Sequence, residues 1–210
     1  MRLMATRNVR AACLLAIVAA FTPWSSARSD EPVVPSTDEL QINEQPGHVP
    51  TPDEEQLDPK FQRQLVFFRT NEAPGTIIIH TDERFLYLIQ GNDRALRYGI
   101  GVGRQGFQWG GLLKISRKQE WPDWRPPPEM IVRQPYLPRF MAGGPGNPLG
   151  ARAMYLGGTV YRIHGTNQPE TIGSAVSSGC FRLVNPDVID LFDRVPVGTK
   201  VIVHQTPAVS

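Results

Sequence analysis

Cysteine is scarce in this chain: two of the 210 residues, Cys13 and Cys180. Cys13 lies in an N-terminal segment that reads as a removable export signal. A mature chain then keeps one thiol, which can form no internal disulfide and is open to oxidation unless it has a task. Histidine is scarce too, at four residues. No paired ligand spacing joins His80, His164 and Cys180 into a metal site, and no cofactor is implied. Internal repeats and nucleic-acid motifs are absent. The longest apolar stretch, Ala11 to Phe21, is too short and interrupted for a comfortable membrane span.

What is present is unevenly distributed. In residues 1–27, Arg2, Arg7 and Arg10 precede the apolar stretch, and Ser25-Ser26-Ala27 follows it. This is the order of a signal peptide, with an uncleaved anchor as the alternative. Residues 28–60 hold nine acidic residues, two basic ones and six prolines. That composition predicts an extended, disordered linker. Residues 61–210 are of single-domain length and carry 17 basic and 11 acidic residues, about +6 against +2 for the whole chain. Such a surface suits an anionic polymer, or serves solubility alone.

The domain reads as mainly β. Strands are expected at Leu65–Phe68, over Gly75–His80 and Arg84–Ile89 with a hairpin turn between them, and over Ala95–Val102 after the Gly91-Asn92-Asp93 turn. Gly103–Pro138, rich in Gly, Pro and Trp, predicts a loop with little regular structure, laid over a cleft. Two paired strands follow, Ala153–Leu156 and Thr159–Ile163, the second ending at His164. Asn185-Pro186-Asp187 reads as an N-cap, a first-turn proline and an early acid. Val188, Leu191, Phe192 and Val195 then form the apolar stripe of a helix. Thr199–His204 is a last strand.

Chemistry concentrates between Tyr161 and Asn185. Gly179 permits a tight turn before Cys180 and a close approach by a substrate carbonyl. A thiol of ordinary pKa, about 8.5, is only a few per cent thiolate at pH 7 and needs a base. His164, sixteen positions upstream at a strand mouth, is the candidate. The alternatives are a buried cysteine acting as a small hydrophobe and a histidine that is only a satisfied polar group.

His164-Gly165, a spacer, then Ser177-Ser178-Gly179-Cys180-Phe181-Arg182 with Asn185 resembles the signature of the bacterial L,D-transpeptidases, the YkuD-type catalytic domain. That pattern is His-Gly, then Ser/Thr-His-Gly-Cys, a hydrophobic residue, Arg, and Asn three further on. Ser178 stands where many members carry a second histidine. The resemblance covers about Leu65 to Val203. It implies a mixed β-sandwich or barrel-like sheet with one or two short helices. It makes Cys180 the nucleophile and His164 the base, oriented by the Gly165 carbonyl, with the Cys180 and Gly179 N–H groups facing the oxyanion. Arg182, Ser178, Ser177 and Tyr161 are the expected substrate-binding residues, with Arg182 as a structural cation the alternative and Asn185 a helix cap. The implied acyl donor is a peptidoglycan stem peptide in the periplasm, and carbapenems are implied inhibitors. The acceptor is an amine of a second stem or of an outer-membrane protein, or water. A non-catalytic wall-binding module is the reading from another class. No nucleic-acid partner is implied, and a monomer is expected.

Overall fold

The computed structural model describes residues 46–205, all within one compact unit. The expected signal peptide, 1–27, lies outside the described residues, as does 28–45. No helix among the described residues is long and apolar enough to cross a membrane.

Among the described residues there are eleven strands and two α-helices. In chain order they are β1 (Gln64–Phe67), β2 (Ile77–His80), β3 (Phe85–Gly91), β4 (Arg94–Gly99), β5 (Val102–Gly103), β6 (Gly111–Glu120), α1 (Pro128–Arg133), β7 (Arg152–Leu156), β8 (Arg162–His164), β9 (Ala175–Ser177), β10 (Phe181–Arg182), α2 (Asn185–Arg194) and β11 (Lys200–His204). Nine form one sheet in the order β1-β4-β3-β2-β11-β6-β7-β8-β10, and β5 pairs with β9. Most pairs are antiparallel; β2–β11, β8–β10 and β5–β9 are parallel. The expected mainly β, mixed sheet is the fold observed.

β-branched residues explain the middle of the sheet. Ile77, Ile78 and Ile79 are all buried, so β2 is covered on both faces. Ile77 and Ile79 join the main core with Leu86, Tyr98, Met154, Leu156, Ile163, Phe181 and the stripe of α2. Ile78 joins a second cluster with Phe85, Tyr87 and Ile89, covered by Phe61, Val66 and Phe68. The β3–β4 turn is where the sequence placed it. Asn92 and Asp93 both take positive φ, +52° and +53°, as a tight hairpin turn of this hand requires.

Three expectations are corrected. Gly103–Pro138 is not irregular throughout: it contains the ten-residue β6 and the helix α1. Lys, Arg, Ser and Gln dominate β6, so its apolar alternation is faint; its place between β11 and β7 makes it a strand. Its Lys118 Nζ donates to the carbonyls of Phe192 and Val195, at 2.5 and 2.8 Å, at the C-terminal end of α2. Secondly, the expected linker over 28–60 is docked on the domain where it is described. Gly47 N–H donates to Gly146 O at 2.8 Å, and Asn167 Nδ2 donates to His48 O at 3.3 Å. Proline-rich, acidic composition reports the lack of a core of its own, and says nothing about docking through hydrogen bonds.

Thirdly, Asn185 is not the cap of α2. Val184 occupies that position and no side chain caps the helix. The Asn185 amide reaches sideways: Oδ1 accepts from Ala151 N–H at 2.9 Å, and Nδ2 donates to Glu55 Oε1 at 3.2 Å. Ala151 is fully buried. Asn185→Ala therefore leaves a buried N–H without its acceptor and is expected to lower stability by about 1–3 kcal/mol. Asn185→Asp, which keeps the acceptor, is expected to lose less. Urea midpoints of the two variants against the parent check this, and equal midpoints for parent and Asn185→Ala would remove Asn185 from its structural role.

Candidate functional site

His164 is the last residue of β8. Alternation along that strand sends Ile163 into the core, while Arg162 and His164 line a cleft. The chain then has to turn away beside Asn185. A Cβ at Gly165 would stand 2.5 Å from Asn185 Oδ1, closer than real contacts allow, so a side chain at position 165 would have to displace the Asn185 amide. With that turn made, the Gly165 carbonyl lies 2.5 Å from His164 Nδ1. A carbonyl only accepts, so Nδ1 carries the proton and Nε2 presents its lone pair.

His164 is 4% exposed. Burial is the main cause that pushes its pKa down, to about 3, with Arg182 and then Arg162 adding positive charge nearby and the Gly165 hydrogen bond opposing them. The ring is therefore neutral at pH 7. Arg182 acts at short range because β10 runs parallel to β8, with Arg182 in register with His164.

Cys180 is half-buried and lines the same cleft. Its Sγ lies 3.9 Å from Val160 O. The turn before it is closed by Ser177, whose hydroxyl donates to Cys180 O at 2.6 Å and accepts from Gly179 N–H at 3.2 Å. Gly179 has φ +104°, and a Cβ there would sit 2.6 Å from the Tyr161 ring. Tyr161 stacks on Trp109, with centroids 4.5 Å apart and planes 12° apart, and Trp109 Nε1 donates to Gly179 O at 2.8 Å. Helix α2 begins five positions past Cys180, so the thiol is not within its first turn.

The expected site residues thus divide into two sets. His164, Cys180, Arg182, Ser177 and Ser178 line one cleft. Gly165, Gly179 and Tyr161 support it from behind. Ser177 is 1% exposed, and its hydroxyl is engaged within the turn that presents Cys180. The Gly179 N–H, expected at the oxyanion, is engaged by Ser177 Oγ. Ser178 Oγ accepts from Arg133 Nη2 at 3.3 Å, a cation brought by α1.

Other lining residues come from the Gly-, Pro- and Trp-rich segment expected over a cleft, and from the loop after it. Trp124, Met130 and Leu149 form a small cluster with Leu137 and make one wall. Trp124 pairs its N–H and carbonyl with Met141, at 2.8 and 2.9 Å, which fixes the segment. Arg162, not among the expected site residues, lines the cleft as well. Its one signal was its place two positions before a candidate base on the same strand face. Among the described residues no group of three or more His, Cys, Asp or Glu could hold a metal ion.

The neutral state of His164 has a measurable consequence. Unfolded, its imidazole takes a proton near pH 6.5; folded, it does so only near pH 3. Between these values the unfolded chain binds more protons, so this group makes stability fall as pH falls, by up to about 1.4 kcal/mol per unit. Asp187, raised to about 6 by burial, contributes in the opposite sense. The comparison that isolates His164 is the urea midpoint against pH for the parent and for His164→Gln. The parent is expected to lose more stability than the variant between pH 6.5 and 4.5, and parallel curves would contradict a neutral buried ring.

The sequence profile of the L,D-transpeptidase catalytic domain, YkuD, matches residues 74–203. Over 162 residues the chain is 38% identical to a protein of Escherichia coli (strain K12) named "Probable L,D-transpeptidase ErfK/SrfK", covering 71% of this chain and 51% of that one. It is also 38% identical over 136 residues to "Probable L,D-transpeptidase YbiS" of the same organism, covering 60% and 43%. The chain spans about half the length of these relatives. Among solved structures, the Ldtfm–avibactam carbamoyl enzyme superposes with a TM-score of 0.50 at 18% identity, over 64% of this chain and 50% of that one, a likeness of fold. A profile matched over more than half of the chain, on the fold just described, makes this protein a member of the YkuD family of L,D-transpeptidase catalytic domains.

Proposed function

We propose that this protein is a cysteine acyltransferase acting on peptidoglycan stem peptides, with Cys180 as nucleophile and His164 as general base. The observation that carries the reading is a buried imidazole and a half-buried thiol lining one cleft, with the imidazole Nδ1–H held by the Gly165 carbonyl. That carbonyl does the orienting work an acidic residue performs in a Ser–His–Asp triad. A ring that is neutral at pH 7 is free to take the thiol proton.

The reaction follows from these roles. Nε2 of His164 removes the Cys180 proton as Sγ bonds to the carbonyl carbon of the L,D bond before a terminal D-alanine. The carbonyl oxygen becomes an oxyanion, facing the backbone N–H of Cys180. One such donor is worth about 3 kcal/mol in other acyl-transfer enzymes. As the oxyanion collapses, the C–N bond breaks and the imidazolium gives its proton to the departing D-alanine amine. A thioester on Cys180 remains. An amine of a second stem or of an outer-membrane protein attacks it, giving up its proton to His164, and the thiol is released. Water in place of the amine makes the enzyme a carboxypeptidase. The setting of these substrates is the periplasm, consistent with an N-terminal segment that reads as an export signal, and no nucleic acid enters the scheme.

Two measurements test this. A carbapenem incubated with the purified protein is expected to add one adduct mass, lost in Cys180→Ala; an unmodified parent, folded by circular dichroism, would contradict the nucleophile. His164→Ala is expected to slow acylation by about 10²–10⁴-fold, with Ser178→Ala affecting it far less. Equal losses would assign Ser178 a catalytic part.

A further inference from the structure

We propose that Arg162 is a specificity-determining residue whose guanidinium receives a carboxylate of the acyl donor inside the cleft. This rests on the reading of Cys180 as nucleophile.

Four observations carry it. Arg162 shares the cleft-facing side of β8 with His164, so a group bound to it lies beside the reacting bond. It is partly exposed, whereas Arg182, the other arginine lining the cleft, is 3% exposed. A ligand therefore reaches Arg162 first. Its Nε is buried without a hydrogen-bond partner among the described residues, and it forms no ion pair there. On the adjacent strand, by contrast, Arg152 lies 3.4 Å from Glu120. Finally, no Asp or Glu lines the cleft.

A half-buried cation without a counter-anion is unfavourable. The aromatic near Arg162 is the Tyr155 ring, with the guanidinium carbon 5.1 Å from the centroid. A guanidinium carries its N–H donors along the edge of its plane. That edge matches a carboxylate through two parallel N–H···O bonds, which an ammonium cannot reproduce. The same charge helps to lower the basicity of His164, so a carboxylate docked on Arg162 also strengthens the base when substrate is present.

The test uses the purified full chain and synthetic tetrapeptide stems, one with all carboxylates free and others with each carboxylate amidated in turn. Acyl-enzyme formation is read by intact mass, and kcat/KM by release of D-alanine, or of D-alaninamide from the stem amidated at its terminus. Arg162→Gln, Arg162→Lys and, as a surface-charge control, Lys114→Gln are compared with the parent. In the parent, one amidation is expected to lower kcat/KM by about 10- to 100-fold. In Arg162→Gln the fully free stem is expected to fall by a similar factor, and that amidation to have no further effect. Arg162→Lys is expected to fall between, and Lys114→Gln to match the parent. An equal loss on every stem in Arg162→Gln, or no sensitivity to amidation in the parent, overturns the subsite and leaves the acyltransferase reading intact. No acyl-enzyme from the parent on any stem overturns that reading, and the subsite with it.

Discussion

The cleft depends on how closely two chain segments approach one amide. Asn185 Oδ1 accepts from Ala151 N–H, and the backbone at Gly150 and Gly165 packs so tightly against the same oxygen that neither position has room for a Cβ. This contact joins the start of β7, the end of β8 and the start of α2. From it follows the path of the chain after His164, and from that path the position of the Gly165 carbonyl against the imidazole. The orientation of the proposed base is thus set by close packing, with no acidic side chain involved.

The electrostatics of the cleft follow from the same arrangement. Parallel pairing of β8 with β10 brings Arg182 level with His164, and alternation along β8 adds Arg162. Two cations and deep burial leave a neutral imidazole in a cleft lined by no acid. A chemistry that attacks a neutral carbonyl in a substrate rich in carboxylates fits such surroundings. Ser177, Gly179, Trp109 and Tyr161 form a rigid support behind the thiol, in which hydrogen bonds and ring stacking hold the turn that presents Cys180.

The apolar strands and the helix after Cys180 were legible in the sequence because each carries its own period: Ile77–His80, the Asn92-Asp93 turn, and the Val188–Leu191–Phe192 stripe. Strand β6 was not, because a strand rich in Lys, Arg and Gln takes its identity from its neighbours. Asn185 shows the same limit in reverse. Its local context, before a proline and an acid, is that of a cap, yet its amide satisfies a backbone group 34 positions away. Local preference and tertiary demand compete for such a side chain, and the buried N–H prevails.

By itself the sequence determined the mainly β fold class, through the strand periods of the domain, and it singled out His164 and Cys180, which the structure brings to one cleft. Only the tertiary structure decided which residues face the cleft. Ser177 and the Gly179 N–H are spent within their own turn, while Trp124, Met130 and Arg162 come to the cleft from three separate elements of the chain. Nothing in local periodicity encodes that convergence; it arises when the sheet and the segment around α1 are packed together.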